Sequence, residues 1–193
     1  TKNLPIASGM GGGSSNAATV ILCLIEMFNI DCKKDFHKSL FSLGADIPFC
    51  FCRKSAIVTG KGENILKIEN NYENFFVLLV NPMIEVSTKK IFEKLTIPTR
   101  KDCTIFDEKF LSNSQIVDFL NSRTNDLEKP AILQCEEIKN ILDVFKNETN
   151  SLLSRMTGSG STCFALFKNK KDLGNAERIF RNKFKNFWVK KTK

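Results

Sequence analysis

Apolar residues fall at helical spacing early in the chain and then give way to short extended runs. Ala18, Ile21, Leu22, Ile25 and Phe28 recur at steps of three and four, which predicts a helix from about Ala17 with one buried face. Asn29, Asp31 and Lys33 close it. A second helix is predicted from about Lys34 to Leu43, with Leu40 and Leu43 turned inward and Gly44 as its stop. Ala45-Asp46-Ile47-Pro48-Phe49 then leads into an extended run where Cys50 and Cys52 alternate with Phe49 and Phe51, the period of a strand. Ala56 to Thr59 and Ile65 to Ile68 read as strands on either side of a tight turn, Gly60-Lys61-Gly62-Glu63, with Glu63 as a turn residue. Asn70 and Asn71 mark a domain boundary.

The second half opens on a buried strand, Phe75 to Val80, ended by Asn81-Pro82. Ser87 or Thr88 can cap a short helix through Leu95, and residues 96–110 read as a loop. Helices are predicted around Ser114 to Asn121, Glu136 to Lys146 and Asp172 to Phe184, and strands over Thr162 to Phe167 and Phe187 to Lys191. Strands separated by helices predict an α+β sandwich with the helices on one face of the sheet.

At 193 residues the chain can form one ordinary domain or two small ones, and 42% apolar residues fit a globular protein. The net charge of +8 is spread along the chain, with a local run at Lys183, Lys185, Lys190, Lys191 and Lys193. Nucleic-acid binding is one reading of that charge; a solvated basic face that attracts phosphorylated substrates is the other. No aromatic-basic ladder or nucleic-acid motif is present, which favours the second. Cys23, Cys32, Cys50, Cys52, Cys103, Cys135 and Cys163 form no C-x-x-C pair, and the lone His37 is distant from them in sequence. Reduced thiols in a cytoplasmic protein are the simple reading, with no secretory segment or membrane-length apolar run.

The candidate chemistry begins with Pro5-Ile6-Ala7-Ser8-Gly9-Met10-Gly11-Gly12-Gly13-Ser14-Ser15, which runs straight into the first helix. Such a loop lays bare backbone N–H groups at the positive end of a helix, a setting that suits a phosphate chain. Ser14 and Ser15 are candidate helix caps, or hydroxyls for a phosphate oxygen or a metal ion. A Walker A loop is excluded because no lysine follows the glycines. The dinucleotide fingerprint fails at Ser14, where it needs glycine, and Pro5 spoils the strand it would need upstream. A flexible linker is the competing reading, but linkers are not usually fused to an amphipathic helix.

A second loop, Ser154 to Ser161, carries Gly158-Ser159-Gly160 before an apolar strand. It is either a plain turn or a second wall for the same anion. Asp46 lies between a helix stop and an apolar run, where a carboxylate would be partly buried. It is a candidate acid/base, with a turn or capping aspartate as the equal alternative. Thr88 is a helix cap or a hydroxyl near the site.

Three segments, Pro5 to Ala18, Leu43 to Phe49 with Gly60 to Glu63, and Arg155 to Gly160, together resemble the GHMP small-molecule kinases. The triple glycine before Ser14-Ser15-Asn16-Ala17-Ala18 and the run Leu43-Gly44-Ala45-Asp46-Ile47-Pro48-Phe49 resemble most the branch that phosphorylates 4-diphosphocytidyl-2-C-methyl-D-erythritol in the non-mevalonate isoprenoid route. Asn81-Pro82, Val86-Ser87-Thr88 and Ile91-Phe92 fit the same pattern. The resemblance implies part of a ribosomal protein S5 domain 2-like ATP-binding domain over residues 1–70. A ferredoxin-like C-terminal sandwich over 71–193 would follow it. It implies that Pro5 to Ser15 form the ATP phosphate loop, with Ser14 or Ser15 near Mg²⁺. Asp46 would be the catalytic base, and Gly158, Ser159 and Gly160 would close over the transferred phosphoryl group. It implies a small-molecule substrate with ATP, without nucleic acid or membrane. Members of the family begin well upstream of this loop, so Thr1 reads as a cut edge and Lys2 is not the family's lysine near the catalytic aspartate. The isolated chain is therefore expected to be weakly active or inactive. A mevalonate- or homoserine-type kinase and a non-catalytic remnant are the alternatives.

Overall fold

A computed structural model describes residues 3–31, 36–68, 75–95 and 112–192. Lys2, Cys32, Lys33, Lys34, Asn70, Asn71, Cys103, Lys193 and the loop expected over 96–110 lie outside the described residues. The chain divides into two compact units, one within Gly11–Asn71 and one drawn from Thr1–Met10, Tyr72–Ile105 and Leu111–Lys193.

The smaller unit holds α1 (Gly12–Phe28), α2 (Phe36–Leu43), α3 (Ile47–Cys52), β1 (Ala56–Thr59) and β2 (Asn64–Lys67). Helix α1 starts at Gly12, ahead of the Ala17 start that periodicity suggests, and ends on Asn29, whose αL backbone returns an N–H to Ile25. Its apolar stripe is narrower than expected, because Ala18 is buried while Phe28 is 64% exposed. In α2, Leu40 is buried, but Leu43 is 67% exposed, contrary to its expected inward position. Leu43 is the last residue of that helix, immediately before the Gly44 turn. Residues 47–52 form a helix and not the extended run expected. Pro48 sits in its first turn, where a missing N–H costs nothing, and Cys50 donates its N–H to the Asp46 carbonyl at 3.0 Å. A small core of Ala18, Leu40 and Ile47 joins the three helices, flanked by Ile21, Phe36 and Phe51. Phe36 and Phe51 meet edge to face with centroids 5.5 Å apart. Strands β1 and β2 pair as an antiparallel hairpin from Ala56↔Lys67 to Thr59↔Asn64.

The larger unit holds β3 (Phe76–Asn81), α4 (Thr88–Glu93), α5 (Asn113–Asn121), α6 (Glu128–Ile132), α7 (Glu137–Glu148), β4 (Leu153–Met156), β5 (Cys163–Phe167), α8 (Lys170–Lys183) and β6 (Trp188–Thr192). Ser87 caps α4 by accepting the Lys90 N–H, and Asn169 caps α8 by accepting the Asp172 N–H at 2.9 Å. The strands form one antiparallel sheet in the order β4-β5-β3-β6, the β-α-β-β-α-β arrangement of a ferredoxin-like sandwich. Helices α7 and α8 cover the sheet face that carries Leu78, Val80, Ala165 and Phe167. Their own inward residues are Ile138, Ile141 and Phe145 on α7 and Leu173, Ala176 and Phe180 on α8, at the i, i+3, i+4, i+7 spacing. Phe145 and Phe180 meet at 4.5 Å between centroids. Each such side chain contributes about 1.5–3 kcal/mol on burial, so this core carries the unit.

Candidate active site

In the larger unit the N-terminal loop and the loop after β4 meet backbone to backbone. Gly9, Gly158 and Gly160 all have positive φ, at 69°, 53° and 85°. A Cβ on Gly9 would lie 2.3 Å from the Thr157 carbonyl oxygen and 2.8 Å from the Gly160 nitrogen. A Cβ on Gly158 would lie 2.7 Å from the Gly9 carbonyl oxygen. No side chain fits between these two loops, so both positions require glycine for space as well as for φ. Thr157 Oγ1 donates to the Gly9 carbonyl at 3.1 Å and ties the loops together. Ser8 and Pro5 are buried, whereas Ile6 is exposed.

The second loop is braced from several sides. Asn125 Nδ2 donates to the carbonyls of Met156 at 3.0 Å and Gly158 at 2.8 Å, while its Oδ1 accepts the Leu127 N–H at 3.1 Å. Asn81, buried at the end of β3, donates to Thr162 Oγ1 at 2.8 Å and accepts the Met83 N–H at 2.7 Å. Ser161 Oγ donates to the Ile84 carbonyl at 2.6 Å. Thr88 Oγ1 and Ser159 Oγ share a hydrogen bond at 2.9 Å, which brings the start of α4 to the loop tip. Arg155 turns away from the loop and donates to the carbonyls of Leu120 and Arg123 at 2.7 and 2.6 Å. Burial pulls its guanidinium below the usual arginine range, and the nearby Glu128 carboxylate opposes that pull. Asn125 has no counterpart in the motifs read from sequence, and Asn81, which stands in the Asn81-Pro82 pair, shows there only as a strand end and a family position, not as a brace for this loop. The signal for Asn125 was local: an Asn followed two residues on by a bonded N–H is an Asx turn, here just ahead of α6.

In the smaller unit, α1 begins with its backbone free. Gly11 stands at the N-cap in the αL region, and the Ser15 N–H makes the first helical bond, to the Gly11 carbonyl at 2.9 Å. The N–H groups of Gly12, Gly13 and Ser14 therefore precede any intrahelical acceptor. Ser14 and Ser15 are inside the helix, half-buried and exposed respectively, and so are not its caps. The cap falls on glycine because Gly11 adopts the αL turn that admits the chain to the helix. No acidic residue occupies the first turn, and a Cβ on Gly11 or Gly13 would meet nothing within 4 Å. Seventeen aligned peptides place partial positive charge at this open end.

Asp46 is exposed, not partly buried as expected from the apolar run after it. That run coils into α3 and takes Ile47 and Pro48 to the core, leaving Asp46 at the N-cap with a side chain that makes no capping bond. One turn on, burial and the Asp46 carboxylate push the Cys50 thiol up. Glu63 is a turn residue: its carboxylate accepts the Lys61 N–H. Among the described residues no cluster of three or more His, Cys, Asp or Glu could hold a metal ion. Any divalent ion here would lean on substrate phosphates for its charge, with Ser14 or Ser15 offering at most a hydroxyl.

Residues 1–54 match the family profile for the GHMP kinases N terminal domain, and residues 110–186 match that for the GHMP kinases C terminal. The chain belongs to the GHMP kinase family. It is 34% identical over 194 residues to the 4-diphosphocytidyl-2-C-methyl-D-erythritol kinase of Bartonella tribocorum, covering 98% of this chain and 64% of that protein. It is 34% identical over 191 residues to the protein of the same name from Clostridioides difficile, covering 97% of this chain and 64% of that protein. The chain thus spans about 64% of the length of these curated relatives. A crystal structure of 4-(cytidine 5'-diphospho)-2C-methyl-D-erythritol kinase superposes with a TM-score of 0.73 at 24% identity, covering 98% of this chain and 68% of that one. The homoserine kinase of Cytophaga hutchinsonii gives 0.66 at 14% identity, covering 100% and 67%. Both share the fold. Among the described residues no helix is long and apolar enough to cross a membrane.

Proposed function

We propose that the protein carrying this chain transfers the γ-phosphoryl group of ATP to the 2-hydroxyl of 4-diphosphocytidyl-2-C-methyl-D-erythritol. The reading rests on 34% identity over 98% of the chain to a kinase named for that substrate. The glycine loops support it physically, because phosphoryl transfer depends on positioning and charge stabilisation more than on covalent chemistry.

In this reading residues 5–15 cradle the ATP phosphates. The free N–H groups of Gly12, Gly13 and Ser14 face developing negative charge at the positive end of α1. Gly158, Ser159 and Gly160 close over the transferred group. A Mg²⁺ ion bound with ATP would offset phosphate charge, and Ser14 or Ser15 would be the residue to offer it a hydroxyl. Asp46 accepts the proton of the substrate 2-hydroxyl as its oxygen bonds to the γ-phosphorus. The bond from that phosphorus to the β-γ bridging oxygen breaks, and ADP leaves with the electron pair. A positioned carboxylate contributes about 10²–10⁴-fold to such a step. Residues 1–70 then belong to the ATP-binding domain and 71–193 to the C-terminal domain, in a cytoplasmic enzyme.

The test is ADP release by the protein of the full reading frame, offered 4-diphosphocytidyl-2-C-methyl-D-erythritol, mevalonate or homoserine. Turnover is expected with the first alone. Turnover with either of the others and not the first overturns the substrate assignment.

A further inference from the structure

We propose that the Gly60–Glu63 turn is a positioning device that sets the direction of the Asp46 side chain, acting through Ala45. This rests on the reading of Asp46 as the base. Gly62 has φ of 113°, and a Cβ there would lie 2.7 Å from the Ala45 carbonyl oxygen and 3.3 Å from its carbonyl carbon. Gly62 is thus packed against the peptide group that joins Ala45 to Asp46, and only glycine can approach it so closely.

The opposite side of Asp46 is held as well. Its carbonyl accepts the Cys50 N–H at 3.0 Å, and the Ile47 N–H bonds to the Gly44 carbonyl at 3.1 Å. The two peptide planes flanking Asp46 are therefore fixed, one by the turn and one by α3. The carboxylate itself contributes nothing to this. An aspartate at an N-cap normally accepts a first-turn N–H, and this one does not. Backbone packing orients Asp46 and leaves its acceptor oxygens free for other work.

The turn is built to keep its shape. Strands β1 and β2 fix its ends at Thr59↔Asn64. The Glu63 carboxylate folds back to accept the Lys61 N–H, and it lies where a Cβ on Gly60 would be only 2.5 Å from one of its oxygens. A larger residue at 60 would displace Glu63, and one at 62 would displace Ala45. A base shifted by about 1 Å costs on the order of 10²-fold in rate, so a small push on Ala45 is a large push on catalysis.

The experiment is a double-mutant cycle on the protein of the full reading frame, read in single turnovers with radiolabelled ATP. Gly62→Ala is expected to lower the transfer rate about 10- to 100-fold with KM for ATP changed less than about twofold. In an Asp46→Asn background the same substitution is expected to change the residual rate by less than about twofold. If Gly62→Ala lacks a cooperative melt, Glu63→Ala, which removes the acceptor for the Lys61 N–H, replaces it in the cycle, with an expected loss of about 3- to 10-fold. An unslowed Gly62 (or replacement Glu63) variant, or equal slowing in both backgrounds, overturns the proposal. Undiminished turnover by Asp46→Asn alone is a separate result, and it removes Asp46 from the mechanism.

Discussion

Thr157 Oγ1 donates to the Gly9 carbonyl at 3.1 Å, across 148 positions of sequence. The bond joins the two glycine loops at the point where Gly9 and Gly158 leave no space for a side chain. Gly9→Ala and Gly158→Ala must each force an L-residue into positive φ and part the same backbone contact. Each is expected to destabilise the protein by about 2–4 kcal/mol, and the double variant by less than the sum, because both break one contact. Thermal or urea unfolding of the three variants checks this. Full additivity would mean that the loops are not held against each other.

Asn125 satisfies two carbonyls of the second loop with one amide nitrogen. Asn125→Ala leaves both without that donor and is expected to cost about 1–3 kcal/mol and to weaken ATP binding. Asn125→Asp should be no better, because a carboxylate has no proton to donate. Calorimetric titration of ATP together with unfolding curves gives both quantities. A fully active, fully stable Asn125→Asp would remove this residue from the support of the loop.

Glu177 on α8 pairs with Lys191 of β6 at 2.9 Å and with Arg181 at 3.0 Å. The Lys191 contact first, and Arg181 after it, hold its carboxyl below the ordinary value of 4.5 in spite of partial burial. A depressed folded value means stability that is fully present above about pH 4.5 and lost as the pH falls through the lower folded value. Glu177→Gln is expected to cost about 0.5–1 kcal/mol at pH 7 and to flatten the decline of stability between pH 5 and 3. Melting temperatures of both proteins across that range test it; parallel curves would contradict it.

Strands β3, β5 and β6 of the sheet and the long helices over it were legible because their apolar positions recur often enough for periodicity to speak. Leu78 and Val80 in β3, and Leu173, Ala176 and Phe180 in α8, stand at the expected spacing and are buried. Three short elements, α3, β4 and α6, were not legible, although β1, β2 and α4 are as short and were. In α3 the alternation of Phe49, Cys50, Phe51 and Cys52 mimics a strand over one and a half turns, where two periods cannot be told apart. Pro48 just after Asp46 was the better signal, as proline favours a helix's first turn. Strand β4 hid behind Ser154 and Arg155, and its buried ends Leu153 and Met156 are too few to establish alternation. Helix α6 went unread because Pro130 lies within its five residues. The glycine loops could be found from composition, but the bracing by Asn125 and Asn81 could not, since those contacts join segments 31 and 81 positions apart.

The start of α1 shows a different limit. Gly12 and Gly13 are poor helix formers, each costing about 1 kcal/mol relative to alanine, so periodicity places the start later. The helix includes them all the same, and with them it gains an end whose first N–H groups precede any helical bond and where a Cβ on Gly11 or Gly13 would meet nothing within 4 Å.

The most direct measurement is where the phosphoryl group lands. Incubating the protein of the full reading frame with ATP and 4-diphosphocytidyl-2-C-methyl-D-erythritol, and reading the product by phosphorus and carbon NMR, is expected to show one new phosphomonoester coupled to the tertiary 2-carbon, with one ADP formed per product. A phosphate on another hydroxyl, or ADP formed with no phosphorylated acceptor, would contradict the account.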